Sequence, residues 1–132
     1  MIRAEAGQST VEFALILLLF LMVILGIFEG SRLIFNYNIV SEAAREGVRY
    51  AMVRGSTCVL PDGSSCTASA TQIGDYVQSK AVGRPMTVNV TWPAPPNPGS
   101  TVVVQVTSSF TPVVWFIPAV DLSSEARMVI AR

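Results

Sequence analysis

The sequence predicts an α+β protein with a long N-terminal transmembrane and amphipathic helix, a short helix and a small three-stranded antiparallel sheet. Three observations predict this class. Residues 13–28 form a run without a charge or a side-chain amide. Apolar residues then recur at helical spacing, and alternating apolar and polar residues fill the C-terminal third. Helices followed by strands are typical of the α+β class.

The apolar run predicts a membrane-spanning helix. Its length as a helix is about 24 Å, at about 1.5 Å per residue, and the hydrocarbon core of a bilayer is roughly 30 Å thick. Val11 and the flanking residues bring the helix close to that length. A chain of 132 residues has too little other structure to enclose a helix that is apolar on all sides. Gly26, within the run, and Gly30, two residues after its end, have the G-x-x-x-G spacing that lets membrane helices approach closely.

Glu12 lies at the start of this run, and two interpretations of it stay open. Ser9 and Glu12 have the spacing of a capping box, in which Ser9 is the N-cap and Glu12 reaches back to its N–H. An acid here can also pair with a cation of a neighbouring subunit, because an isolated charge in a membrane is unfavourable. The two interpretations are compatible.

The helix is predicted to continue beyond the membrane, to about Val53. One apolar stripe recurs at steps of three and four residues, formed by Leu33, Tyr37, Val40, Ala44, Val48 and Ala51. On the polar side of the helix, Glu42 precedes Arg45 by three residues, and Glu46 precedes Arg49 by the same spacing. These pairs indicate either a solvated face or charge contacts between subunits.

Cys58 and Cys66 flank the turn sequence Pro61-Asp62-Gly63. A turn brings its flanks together, so we expect a disulfide here, which would place the region in an oxidising compartment. Two unpaired thiols are the alternative. A metal site is not expected, because two sulfurs without a nearby histidine do not complete a zinc shell.

The C-terminal part is predicted to form a short helix and three strands. Ser69 and Gln72 have capping-box spacing, and Gly83 and Pro85 end the helix that follows. This helix is expected to lie on the sheet. Strands are predicted over 86–92, 101–110 and 123–131, with a proline-rich loop at 93–99. Residues 113–117 are strongly apolar, and they either pack under the sheet or form an exposed patch that contacts a partner or the membrane surface.

Composition argues against several classes of function. The formal net charge is zero, charged residues make up 14%, and the chain has no histidine. A nucleic-acid partner is therefore not expected. No nucleophile elbow, phosphate loop or supported carboxylate pair is present in the sequence, so we expect no enzyme, no cofactor and no metal.

Gly7 is followed after four residues by Glu12-Phe13 and the apolar run. This arrangement resembles the processing site of the short prepilins of tight-adherence (Flp-type) pili. The stretches G-Q-S-T-V-E-F-A-L, E-G-S-R-L and N-x-x-S-E-A-A-R-E-G-V-R-Y-A resemble the TadE-like family of pseudopilins from the same systems, over residues 7–54. The resemblance implies cleavage between Gly7 and Gln8 by a membrane aspartyl prepilin peptidase. It also implies that Glu12 and Phe13 serve assembly, with Glu12 pairing a subunit's new α-amine.

The resemblance implies an organisation and a function. Residues 1–7 would be a prepilin leader, 8–54 a transmembrane helix continuing outside the membrane, and 55–132 a small extracytoplasmic α+β domain. The chain would be a minor pilin or pseudopilin of a tight-adherence type IV pilus or a related secretion system. Its partners would be the inner membrane, pilin and other pseudopilin subunits, the prepilin peptidase and the pilus assembly platform.

Topology and processing each leave an alternative. Arg3 alone precedes the span and four arginines follow it by residue 54, which by the positive-inside rule places the C-terminus in the cytoplasm. The cysteine pair and the resemblance favour an N-terminus in the cytoplasm of a bacterium and a periplasmic or extracellular C-terminal domain, which we expect. The leader also carries Glu5. An unprocessed single-span protein, whose outer domain acts as an assembly factor or binds a ligand or surface, is therefore the alternative.

Overall fold

The computed structural model describes residues 2–81, 83–114 and 117–131, with side chains from residue 7 onward. The elements in chain order are α1 (Ile2–Met52), α2 (Ala70–Ser79), β1 (Thr87–Thr91), β2 (Thr101–Phe110) and β3 (Val120–Val129). The three strands form one antiparallel sheet. The predicted α+β class is confirmed.

The start of α1 differs from the prediction. The helix begins at Ile2 rather than at Ser9, so Ser9 lies inside it and is not an N-cap. An N-cap residue sits at the edge of a helix with non-helical backbone angles. Ala4, Glu5 and Ala6 favour helix and continue α1 through this position. The capping-box interpretation of Ser9 and Glu12 is therefore wrong for this chain.

The chain divides into two compact units, Met1–Ile34 and Phe35–Arg132. In the first unit all described residues are helical. The second unit contains the C-terminal part of α1, together with α2 and the sheet. The predicted segment 8–54 thus contributes residues to both units.

The sheet is a meander with the order β1-β2-β3. Val104 of the central strand pairs with Val90 on one side and Ala126 on the other. The predicted bounds of β2 are confirmed, whereas β1 is shorter than predicted. β3 starts three residues earlier than predicted, because Val120 finds a partner in Phe110. The inner face of β2 is fully buried, formed by Val102, Val104 and Val106.

The short helix α2 lies on the sheet, as predicted, and contacts β1. Its N-terminus has the predicted capping box, in which the Gln72 N–H donates to Ser69 Oγ at 3.2 Å and the Ser69 N–H donates to Gln72 Oε1 at 3.0 Å. Ile73 and Val77 are fully buried in the same core as β2. The cap fixes where α2 starts, and the start fixes which residues face the sheet.

The C-terminal part of α1 completes this core. Four members of the predicted stripe are buried there: Val40, Ala44, Val48 and Ala51. Tyr37, also in the second unit, is exposed, and so is Leu33 in the first unit. The apolar spacing predicted the stripe, but it did not determine which of its members are covered.

Gly47 marks the place where α1, α2 and β2 converge. A Cβ atom built on Gly47 would lie 2.5 Å from Val77 Cγ2 and 3.0 Å from Val104 Cγ1. Both distances are shorter than ordinary van der Waals contact. Beside this point the rings of Tyr50 and Tyr76 stack with centroids 4.2 Å apart. The three elements can therefore pack this closely only because residue 47 has no side chain.

The apolar segment 113–117 is described only in part. Trp115 and Phe116 lie outside the described residues, and Val113 and Ile117 are exposed. The choice between core and contact surface for this segment stays a prediction.

Candidate membrane and assembly surface

The N-terminal part of α1 carries an apolar surface on all sides. Every large apolar side chain described from Val11 to Phe28 exposes between 42% and 65% of its surface. Exposed apolar area of this extent is unfavourable in water at about 25 cal/mol per Å². α1 is also the one helix in the described residues that is long and apolar enough to cross a membrane. The first unit therefore requires a bilayer, or other subunits, around it.

Apolar exposure continues past the length of a bilayer core. Leu33 and Ile34 of the first unit are exposed as well. Residues 11–34 span about 36 Å along a helix at about 1.5 Å per residue. The hydrocarbon core covers only about 30 Å of this. Tilt or contact with other proteins must cover the remainder.

Glu29 and Arg32 form an ion pair within this apolar stretch. Arg32 Nη1 lies 3.2 Å from both carboxylate oxygens of Glu29, and the guanidinium carbon lies 6.0 Å from the centre of the Phe28 ring. Pairing removes much of the unfavourable free energy of each charge in a low-dielectric environment. The sequence analysis did not identify this pair, although the spacing of three residues between Glu29 and Arg32 was a usable signal.

The predicted processing residues all lie on α1. Gly7, Gln8, Glu12 and Phe13 are exposed helical residues. The first three line an open surface depression of about 580 Å³ together with Val11 and Leu15. Gly7 and Gln8 lie one turn before Glu12, so the structure brings the predicted cleavage residues and the predicted pairing residue onto one short stretch of helix. The side chains of residues 1–6 lie outside the described residues.

Gly26 and Gly30 also lie within α1. A Cβ built at either position meets no described atom within 4 Å. Nothing described within this chain thus requires a glycine at these two sites. The prediction that they allow a second helix to approach closely remains to be tested.

The predicted disulfide between Cys58 and Cys66 is present, with Cα atoms 5.1 Å apart. It closes a small antiparallel hairpin, in which Val59 bridges to Ser65. At the tip, the N–H and the O–H of Ser64 donate to Asp62 Oδ1 at 2.9 and 2.6 Å. The hydroxyl and amide hydrogen bonds from Ser64 hold the pKa of the Asp62 carboxyl below its ordinary value.

These features define a class: a small disulfide-containing α+β protein with one exposed apolar helix that fits a single membrane crossing. The predicted resemblance is confirmed over that helix. The model of the TadE-like family, described as TadE-like protein, matches residues 7–49. The match indicates a component associated with tight-adherence pili.

The match covers much of α1 and ends before α2, the hairpin and the sheet. No curated protein and no solved structure matches the chain. The family evidence therefore concerns the apolar helix and its charged continuation.

Proposed function

We propose that this chain is a minor pilin or pseudopilin of a tight-adherence type IV pilus or a related secretion system. Its role is structural. α1 is first held in the inner membrane and then contacts other pilin-like subunits and the assembly platform. The observation that carries the proposal is the apolar surface of α1, which is exposed on all sides and extends past the thickness of a bilayer core. Contact with other subunits can cover this additional apolar length, whereas a helix in lipid alone would have to tilt.

The proposed topology places the N-terminus in the cytoplasm and the second unit in the periplasm or outside the cell. The disulfide supports this placement, because such bonds persist in oxidising compartments. A reporter that is active only in the periplasm, fused after Arg132, is expected to be active. Activity of a cytoplasmic reporter at the same position would contradict this topology. It would support a cytoplasmic C-terminus, which the distribution of arginines predicts.

The proposal includes cleavage between Gly7 and Gln8 by a prepilin peptidase. This bond lies inside α1, so the peptidase must unwind the helix locally. Glycine makes this easier, because in a helix interior it is less stable than alanine by roughly 0.5–1 kcal/mol. No described atom lies within 4 Å of a Cβ at Gly7. Packing within the described residues therefore does not explain why residue 7 is a glycine, whereas the proposed cleavage does.

One observation favours the alternative, an unprocessed single-span assembly factor or surface-binding module. α1 already begins at Ile2, so the residues before Gln8 extend a regular helix in the intact chain. In this alternative the second unit binds its ligand while α1 remains a permanent anchor.

Mass analysis of the N-terminus separates the two. The protein is extracted from membranes of a strain with active prepilin peptidase. Cleavage predicts loss of residues 1–7 and an N-terminus at Gln8, and Gly7→Glu is expected to retain them. An intact N-terminus in the wild-type protein would favour the unprocessed assembly factor.

Glu12→Gln tests the proposed role of Glu12. Cleavage creates an α-amine on Gln8, which is largely cationic at neutral pH because its ordinary pKa is about 7.7–8.0. Glu12 lies one turn away and can pair with such an amine on an adjacent subunit. The variant is expected to be inserted and cleaved yet to fail to support pili. Normal pili in this variant would rule out the pairing.

A further inference from the structure

The exposed face of α1 in the second unit offers a groove beside two carboxylates. It has a volume of about 420 Å³ and is lined by Ile39, Glu42, Ala43, Glu46 and Lys80. Ile39 and Ala43 contribute its apolar lining. Two carboxylates and one ammonium leave the lining with a net negative charge. The Nζ atom of Lys80 lies 5.4 Å from the centre of the Tyr76 ring.

Arg45 is the cation on this face with the weakest described pairing. Its Nη1 lies 3.8 Å from Glu42 Oε2, beyond hydrogen-bond distance, and its side chain is 64% exposed. Arg49, in contrast, donates to Glu46 Oε1 at 3.2 Å. An exposed pair at the longer distance contributes little to helix stability. Arg45 is therefore available to a neighbouring molecule.

We propose that the occupant of the groove is Arg45 of a second copy of this chain. The two copies lie side by side and parallel, related by a two-fold axis that runs along α1. Each copy places its Arg45 in the groove of the other, so the contact is self-complementary, as a two-fold interface must be.

The helix geometry places the groove and Arg45 on opposite flanks of one face. At about 100° per residue, Arg45 lies roughly 60° to one side of Glu42, and the groove residues extend to the other side. A two-fold axis along the helix brings opposite flanks together. Long side chains on a helix lean toward its N-terminus by about one turn. Arg45 of the second copy therefore arrives at the level of Glu42.

The same face carries a seam at steps of three and four residues. Phe35 and Asn38 begin it, Glu42, Arg45 and Arg49 continue it, and Val53 is exposed directly after the end of α1. Such spacing is typical of parallel helix pairs, and a polar asparagine in a seam favours one register. Phe35, on the N-terminal side of Glu42 and Arg45, and Val53, on their C-terminal side, supply apolar contacts.

This inference deepens the proposed function by naming one partner surface, and it rests on the proposed membrane insertion. Two chains inserted with the same topology have parallel α1 helices, and a two-fold axis along the helix preserves that topology. The negative lining of the groove selects a cation. Arg45 of the second copy supplies this cation beside Glu42.

The test uses the full chain in membranes, with two differently tagged copies crosslinked before extraction. Arg45→Glu alone and Glu42→Arg alone each create like-charge contacts across the axis in their own pairs. Each is expected to reduce self-association about tenfold, as close charge contacts across an interface can. Coexpression of the two variants restores opposite charges at both contacts. The mixed pair is expected to recover wild-type crosslinking.

Mutual rescue separates a contact between chains from an effect on folding, because a folding defect stays within each variant. Denaturant unfolding with a wild-type midpoint in each variant confirms that it folds. Arg127→Glu, which changes an exposed charge on β3, is the matched control and is expected to leave crosslinking unchanged. Unchanged self-association in Arg45→Glu, absence of rescue in the mixture, or crosslinking only to another subunit would overturn the inference. In each of these cases membrane insertion, cleavage and pilus assembly of the wild type would still test the proposed function separately.

Discussion

The two parts of α1 differ in the pattern of their apolar residues and in what covers them. In residues 7–34 the apolar side chains point outward on all sides, and Gly26 and Gly30 have open space where a Cβ would lie. In residues 35–52 one stripe is buried, and Gly47 is in such close contact with Val77 and Val104 that a Cβ would clash. The comparison shows that the second part is fixed by its own chain, whereas the first part depends on an environment outside the chain.

The difference is visible in the pattern of apolar residues. Apolar residues on all sides of a helix require apolar cover on all sides, which a sheet and one short helix cannot give. A single stripe requires cover on one side only, and α2 with β2 provides it for Val40, Ala44 and Val48.

The same substitution in the two units, once in α2 and once in the N-terminal part of α1, gives the sharpest test and the largest expected effect. Ile73→Ala removes a fully buried side chain from the core of the second unit and is expected to destabilise that unit by about 2–5 kcal/mol. Ile16→Ala changes an exposed residue of α1, and the expected change is within about 0.5 kcal/mol. Denaturant unfolding of the detergent-solubilised protein measures both. Equal effects would contradict the division into a self-supporting and a dependent part.

Removing the disulfide is expected to affect the second unit alone. Cys58→Ser with Cys66→Ser opens a short loop, so the chain-entropy model predicts a loss of about 2–3 kcal/mol. Helix content and membrane extraction of α1 should stay the same. Circular dichroism and unfolding curves measure the two effects. Loss of membrane insertion in this variant would show that the two units are not independent.

Two glycine substitutions are expected to have opposite signs. Gly47→Ala places a methyl group against Val77 and Val104 and is expected to destabilise by about 1–3 kcal/mol. Gly74→Ala lies inside α2, where a Cβ meets no described atom within 4 Å, and is expected to stabilise by about 0.4–1 kcal/mol. Thermal unfolding of both variants shows whether each substitution raises or lowers the stability of the protein. Stabilisation by Gly47→Ala would mean that the close approach of α1 and α2 is not required.

The smallest expected effect concerns Asp62 at the tip of the hairpin. Its pKa is lowered in the folded protein by the hydrogen bonds from Ser64. A lowered pKa stabilises the fold above the ordinary carboxyl pKa of about 3.9 and loses this contribution as pH falls through the lowered value. Asp62→Asn is therefore expected to unfold slightly more easily at pH 7. The difference in stability between the wild type and this variant should vanish in strong acid. A difference that persists there would show that it does not come from the ionised carboxylate of Asp62.

Local spacing in the sequence determined much of the fold. The apolar run predicted the long helix, the Ser69–Gln72 spacing predicted the capping box of α2, and alternation predicted β2 to the residue. Cys58 and Cys66 flank a strong turn signal, so their pairing was also predictable. Each of these features depends on residues that lie close together in sequence.

Only the tertiary structure decided the remaining features. Ser9 is an exception, because the helix passes through it and the helix-favouring residues before it were a local signal that the sequence analysis did not use. Tyr37 continues the apolar stripe in the second unit, yet the sheet and α2 do not cover it. The need for glycine at position 47, and the groove beside Glu42, arise where segments distant in sequence meet. Sequence periodicity gives the direction of a side chain, but its burial depends on which other segment lies in that direction.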